Sequence, residues 1–388
     1  MNSEEILARL VAYDTTSTTS NLELIDFVRN RLDDHGVACQ LVHNPDQTRA
    51  NLYATIGPDD IGGIMLSGHT DVVPTSGQDW HSDPYQLKTS DDLLTGRGTC
   101  DMKGFIACVL AALPRFIEQP LQTPIHLAFS YDEEIGCVGA RQLVDTMAGF
   151  EVKPKLGLIG EPTSMNMVLA HKGKRSYRVR FSGLSCHSAY ITSGVNAVEY
   201  AAELIAFIRS MNARVLERGQ RDDSYTVPHS TFHVGNIRGG TALNIVPQQC
   251  EFEFEIRNLP QDNLDALAHE IRDYAKKELL PDMQSRHPAS SIEFEQISHY
   301  PDLRTNPESV VLAYTRSINP VDQLGNHVSF GTEAGLFDGI GINSLICGPG
   351  SIDQAHKPNE FVNREQMQIC DRMIENLTHR CREGSELV

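Results

Sequence analysis

The sequence predicts an α/β fold, a mostly parallel sheet interrupted by an inserted ferredoxin-like α+β block. Three observations predict it. In residues 1–173 segments of helical period alternate with short continuous apolar runs, the pattern of strands buried on both faces between helices. In residues 174–299 the strand-like stretches instead alternate residue by residue between apolar and polar side chains. Residues 300–388 return, from about Val310, to helix and buried strand.

Taken in order, Ile6, Leu7, Leu10 and Val11, then Leu22, Ile25, Val28 and Leu32, recur at helical spacing. Ile64-Met65-Leu66 reads as a strand buried on both faces. Met102 to Ile117 (MKGFIACVLAALPRFI) is apolar enough for a buried helix, which Pro114 bends or ends. Ile125–Tyr131 and Leu156–Ile159 are two further strands. In the inserted block Tyr177, Val179 and Phe181 alternate with Ser176, Arg178, Arg180 and Ser182, and Val198, Ala201, Ile205 and Ile208 mark a helix. Phe232–Ile237 follows as a strand. Cys250, Phe252, Phe254 and Ile256 alternate with Glu251, Glu253, Glu255 and Arg257 in the next. A helix carrying Leu264, Leu267, Ile271 and Tyr274 and a strand near Ile292–Ile297 complete the order β-α-β-β-α-β of a ferredoxin-like unit. Ser344–Cys347 is the last clear strand.

Composition narrows the function. The chain has 388 residues, 40% of them hydrophobic and 22% charged, with a formal net charge of −18. That balance suits a globular protein with a sizeable core. The acidic excess repels phosphate backbones and anionic lipid, which argues against nucleic-acid and membrane partners, and its long-range field mildly favours a cationic substrate. No apolar run approaches the roughly 18 residues of a membrane span. The start, Met1-Asn2-Ser3-Glu4-Glu5, lacks the basic n-region and apolar h-region of a signal peptide. Nine cysteines, none in a CxxC pair and several inside apolar runs, read as buried reduced thiols, so the expected compartment is cytoplasmic.

Five acidic or histidine features fall just beyond predicted strands or at loop starts. They are His69 and Asp71 in GHTD, Asp101 before the buried helix, Glu133-Glu134 after Tyr131, Glu161 after Ile159, and His356 after the last strand. Each alone has an ordinary explanation: Asp101 as a helix N-cap, Glu133-Glu134 as a solvated turn, His356 as plain surface. Together they converge, because ligands of open α/β sheets bind outside the carboxyl ends of the strands. Two histidines and three carboxylates exceed the roughly four ligands of one zinc and suit two ions sharing a carboxylate and a water. Asp71, two residues from His69, projects to the same side of an extended segment and can accept a hydrogen bond from the imidazole. One glutamate of the adjacent pair can ligate while the other stays free as a base.

The set GHTDVVP (68–74), GRGTCDMKG (96–104), DEEIGCVGAR (132–141), GEPT (160–163), CHSA (186–189), GVNAVEYA (194–201) and FGTEAGLF (330–337) resembles the two-zinc aminoacylase and carboxypeptidase family over nearly the whole chain. The resemblance implies a zinc-peptidase-like sheet with helices on both faces, and a lid or dimerisation role for the inserted block. It implies that His69, Asp101 and Glu161 hold one zinc and that Asp101, Glu134 and His356 hold the other, with cobalt or manganese as possible substitutes. Asp71 then orients His69 and Glu133 is the general base. His187 reaches into an active site, that of the other subunit of a homodimer, and stabilises the oxyanion. Asn244 and Arg257 match positions that meet substrate, Arg257 as a fork for an α-carboxylate. Glu333 is a candidate acceptor for a substrate side-chain ammonium. The implied reaction is hydrolysis of an N-acyl amino acid: N2-acetyl-L-ornithine, in arginine biosynthesis, or else succinyl-diaminopimelate, other acyl-amino acids or a dipeptide. The chain departs from the family pattern once. Ser188-Ala189-Tyr190-Ile191-Thr192-Ser193-Gly194 follows His187, where the family shows a proline before the glycine.

Overall fold

The computed structural model describes residues 1–384, in two compact units. The first comprises Met1–Ala170, Leu303–His327 and the chain from Thr332 on; the second comprises His171–Asp302 and Val328–Gly331. The units part at 170/171 and 302/303, against the expected 173/174 and 299/300. Val328–Gly331 joins the second because the Lys172 amide donates to the Val328 carbonyl at 3.3 Å.

The first unit is built on a six-stranded mixed sheet, in the order Cys39–His43, Ala50–Ile56, Ile125–Ser130, Ile64–His69, Leu156–Ile159 and Asn343–Ile346. The last four run parallel, while Ala50–Ile56 is antiparallel to both neighbours and brings in an edge that sequence reading missed. Alternate side chains divide between two faces. Leu52, Ile64, Leu66, Leu127, Phe129, Leu158 and Leu345 join one core with Ile6, Leu10, Ile25, Val28, Phe105, Ile106 and Val109 from the helices Ser3–Val11, Leu22–Asp33 and Lys103–Ala111. Lys103–Ala111 is apolar all round because it is buried all round. The helix expected over 102–117 breaks at Ala112, and a second, Leu113–Glu118, starts with Pro114 in its first turn, where a missing N–H costs nothing. The amphipathic helix Arg364–Glu383, unclaimed by the sequence reading, closes this core with Met367, Cys370, Met373, Ile374 and Leu377.

The second unit has four strands in the order Thr231–Gly239, Gln249–Asn258, Gly173–Ser182, Ser291–Tyr300, every neighbouring pair antiparallel. Tyr177, Val179, Phe181, Phe252, Phe254 and Ile256 pack with Tyr200, Leu204, Ile208 and Ile271 of the helices Ala197–Arg218 and Leu264–Tyr274. The opposite strand positions carry charge, Arg178 and Arg180 facing Glu251, Glu253 and Glu295.

All nine cysteines are free thiols, seven of them buried, and among the described residues no helix is long and apolar enough to cross a membrane.

Candidate metal centre

Parallel strands deliver their carboxyl ends to one edge, and the cluster is assembled there. His69 is the last residue of its strand, Glu133 follows Ser130 by three residues, Glu161 follows Ile159 by two, and His356 lies beyond Asn343–Ile346. Two strand exits must meet for this to happen. A Cβ on Gly348 would stand 2.1 Å from the Gly160 carbonyl oxygen, and one on Gly160 would stand 2.0 Å from the Phe105 ring, so neither position admits a side chain.

At the centre is Asp101. Its Oδ1 lies 3.0 Å from Nε2 of His69 and its Oδ2 3.3 Å from Nε2 of His356. Glu161 extends the first group, 3.9 Å from His69 Nε2, and Glu134 the second, 2.9 Å from His356 Nε2. Ligand atoms of His69, Glu133 and Glu161, and of His69, Asp101 and Glu134, lie within 4.8 Å of one another. Glu133 therefore reaches the first group as well, but it is Glu134 that meets His356.

Burial shapes the electrostatics. Desolvation, reinforced by the charge of Asp101, pushes the Glu161 carboxyl well up and Glu134 up to about 7. Burial also drives Glu133 well up, with repulsion from Glu134, Glu333 and Asp71 adding to it. Burial would raise Asp101 too, but hydrogen bonds from His356 and His69 outweigh it and hold this carboxyl well below the usual range. Hydrogen bonds to Asp101 and Glu134 carry His356 to about 11. Crowded carboxylates of this kind are relieved by cations, and imidazole nitrogen with carboxylate oxygen is the donor set that zinc takes. The residues fit a two-metal centre.

Asp71 adjoins His69 with both its main chain and its side chain. His69 Nδ1 faces the main-chain carbonyl of Asp71 at 2.9 Å, whereas the carboxylate stands 3.5 Å away. The Asp71 carboxylate also accepts from the Ser17 hydroxyl at 2.7 Å and from the amides of Glu133 at 2.9 Å and Glu134 at 3.3 Å. It thus aims the glutamate pair. Asp132, left-handed at φ 52°, turns the chain there and is held by Arg49 and the Thr18 amide.

Glu333 lies as deep as His69. Its carboxylate is buried, 1% exposed, and is bonded by the hydroxyls of Ser130 and Ser67. The apolar segment that follows, Ala334–Asp338, drags it into the core, and burial pushes it up to about 7.

His187, Asn244 and Arg257 lie in the second unit. The first two are neighbours there: His187 bridges Ile245, and the Ser188 amide donates to the Asn244 carbonyl at 3.0 Å. The Ala189 amide donates to Nδ1 of His187 at 3.1 Å, so in the neutral ring the proton sits on Nε2, which becomes an outward donor. Arg257 binds Glu255 at 2.8 Å and the Tyr300 hydroxyl at 3.3 Å. A groove of about 780 Å³ runs beside this loop, walled by Ser185, Arg238, Thr241 and Ile245, and none of the cluster residues lines it.

Sequence reasoning missed Glu360, which lies beneath the Asp101 turn and accepts four hydrogen bonds from it. Its only sequence signal is a place four residues after His356.

Residues 65–380 match the profile of peptidase family M20/M25/M40. Acetylornithine deacetylase of Proteus mirabilis (strain HI4320) is 31% identical over 386 residues, 96% of each chain. In fold the chain is similar to an M20 family metallo-carboxypeptidase of Sulfolobus solfataricus, with a TM-score of 0.76 at 17% identity over 99% of this chain and 100% of that one. It is also similar to a dinuclear metal-binding M20 peptidase of Bacillus subtilis, with a TM-score of 0.64 at 14% identity over 99% of each.

Proposed function

Because the chain belongs to peptidase family M20/M25/M40, we propose that it is a two-zinc deacetylase that hydrolyses N2-acetyl-L-ornithine to L-ornithine and acetate, a step of arginine biosynthesis. Metal-dependent amide hydrolysis is the common ground of the family and of the candidate cluster. The acetylated substrate rests on the likeness to the Proteus mirabilis deacetylase.

One observation carries the site: the two oxygens of Asp101 point at two different imidazoles, the arrangement of a carboxylate shared by two ions. His69 and Glu161 complete one ligand group, Glu134 and His356 the other. When bound, a metal pair supplies a Lewis acid and a water of lowered pKa. Glu133 takes the proton of the attacking water and returns it to the leaving amine nitrogen as the C–N bond breaks. Its carboxylate is within 4.8 Å of the ligand atoms of His69 and Glu161, within reach of a water held there. Asp71 orients His69 and holds Glu133 through its amide. His187 donates from Nε2 to the oxygen that gains charge, Asn244 stands beside it, and Arg257 offers its remaining N–H groups to the substrate α-carboxylate. We read the second unit, whose 4-1-3-2 strand order is that of a ferredoxin-like sheet, as the lid and dimerisation domain of a cytoplasmic homodimer in which His187 serves the partner's site.

The test is a rate comparison on N2-acetyl-L-ornithine, N-succinyl-diaminopimelate and a dipeptide. Acetylornithine should exceed the others in kcat/KM by at least tenfold. Comparable rates on all three would refute the narrow assignment, and a preference for another of them would replace it.

A further inference from the structure

Glu360 is 1% exposed, and its carboxylate is full. Oε1 accepts the amides of Cys100 at 2.9 Å and Asp101 at 3.1 Å, while Oε2 accepts the amide of Gly98 at 3.0 Å and the Arg97 guanidinium at 2.8 Å. Three of the five residues from Arg97 to Asp101 thus hang by their main chain on one side chain. Arg97, equally buried, continues the chain of contacts. It bonds the Gln78 side-chain oxygen, reaches the Lys357 carbonyl at 3.3 Å, and stands 5.0 Å over the Trp80 ring. Gln78 in turn donates its amide to the main-chain carbonyl of His356 at 2.9 Å. The line Glu360–Arg97–Gln78 therefore begins at the N–H of Asp101 and ends at the C=O of His356, tying together two loops whose side chains meet 3.3 Å apart.

A buried ion pair adds little net stability over apolar side chains of the same volume, whereas breaking one partner is costly. What these bonds do specify is placement. His356 needs it most: its backbone is left-handed at φ 62° and its side chain is 53% exposed. Groups that fix ligand orientation from outside the ligand set typically change metal affinity 10- to 100-fold when removed.

We infer that Glu360, acting through Arg97 and Gln78, is a positioning residue that sets the affinity of the metal site shared by Asp101, Glu134 and His356. This rests on the two-metal reading proposed above. The test is calorimetric titration of the metal-free full chain with Zn²⁺, alongside thermal unfolding of the same metal-free proteins. Wild type should show two binding events, and His356→Ala should abolish one of them and so label it. Gln78→Ala, which leaves Glu360 and the Asp101 turn intact, should weaken the labelled event about tenfold. Glu360→Gln keeps one accepting oxygen but sets an amide against the Gly98 N–H and the guanidinium, and should weaken that event further, toward 100-fold. The other event should change less than threefold in Gln78→Ala, and less than the labelled event in Glu360→Gln, which also loosens the shared Asp101. Equal weakening of both events with a fall in apo Tm would overturn the inference in favour of a purely structural role, as would two unchanged events. A wild-type chain that binds one ion or none would instead overturn the two-metal reading itself.

Discussion

Asp71→Asn exchanges one carboxylate oxygen for an NH₂ and isolates what the Asp71 carboxylate does. The carboxylate stands 3.5 Å from His69 Nδ1 and accepts three closer hydrogen bonds: from the Ser17 hydroxyl at 2.7 Å, the Glu133 amide at 2.9 Å and the Glu134 amide at 3.3 Å. All three donate, which an ionised carboxylate satisfies; burial opposes ionisation, but His69 beside it, then the Ser17 hydroxyl and the Glu133 amide, hold the carboxyl below its usual range. An asparagine oxygen can keep the Glu133 amide on Oδ1. Its NH₂ then faces the Glu134 N–H, donor against donor, while the Ser17 hydroxyl turns to accept. The net loss is one hydrogen bond to a charged group, about 1.5–3 kcal/mol. Spent on the placement of the glutamate pair, this corresponds to a fall in kcat of roughly 10- to 150-fold. The assay is kcat and KM on N2-acetyl-L-ornithine with zinc content measured on the same samples. Zinc should stay near two per chain and KM should move little, because no ligand is removed. A kcat within twofold of wild type would refute the reasoning, since the pair would then be aimed by something other than Asp71.

Other substitutions probe the remaining roles. Glu133→Gln should lower kcat by about 10²–10⁴ while zinc stays near two per chain, and an appreciable residual rate would reassign the base. His187→Ala should cost about 10²–10³ in kcat without loss of zinc, and a normal rate would remove it from the reaction. His126 is buried against the Tyr53 hydroxyl at 2.8 Å and Thr55 at 3.0 Å, and burial lowers its pKa from 6.5 to about 4. The folded state thus disfavours a proton that the unfolded chain binds. The stabilisation is whole above pH 6.5 and is lost as pH falls toward 4, on the order of 3 kcal/mol. The metal-free Tm of wild type should therefore fall more steeply from pH 7 to 4.5 than that of His126→Phe, and parallel curves would count against a neutral buried imidazole.

Much of the architecture was legible because its signals are local. The runs Ile64-Met65-Leu66 and Leu156–Ile159 are strands because only a fully covered strand is continuously apolar, and the alternation around Phe252 follows from one face being solvated. Ala50–Ile56 escaped notice because ANLYATI mixes small, polar and apolar residues without a period, although six of its seven residues are buried. Arg364–Glu383 had a readable stripe from Met367 to Cys381 that went unclaimed.

The site divides in the same way. Residue chemistry and position after a strand suffice to nominate His69, Asp101, Glu133, Glu134, Glu161 and His356, because a parallel sheet sends every strand end to one edge. Which atom faces which is another matter. That Asp71 meets the imidazole with its carbonyl, that Glu333 is enclosed by two serines, and that Glu360 gathers the Asp101 turn all depend on groups brought together from up to 266 residues apart. Hydrogen-bond partners are set by ångström-scale placement of side chains, and that placement exists only once the core has packed. From the sequence alone, the chain's class, its division into two kinds of sheet and the chemistry gathered at the strand ends were determined. The pairing of those groups, and the buried carboxylate that holds them in place, only the tertiary structure decided.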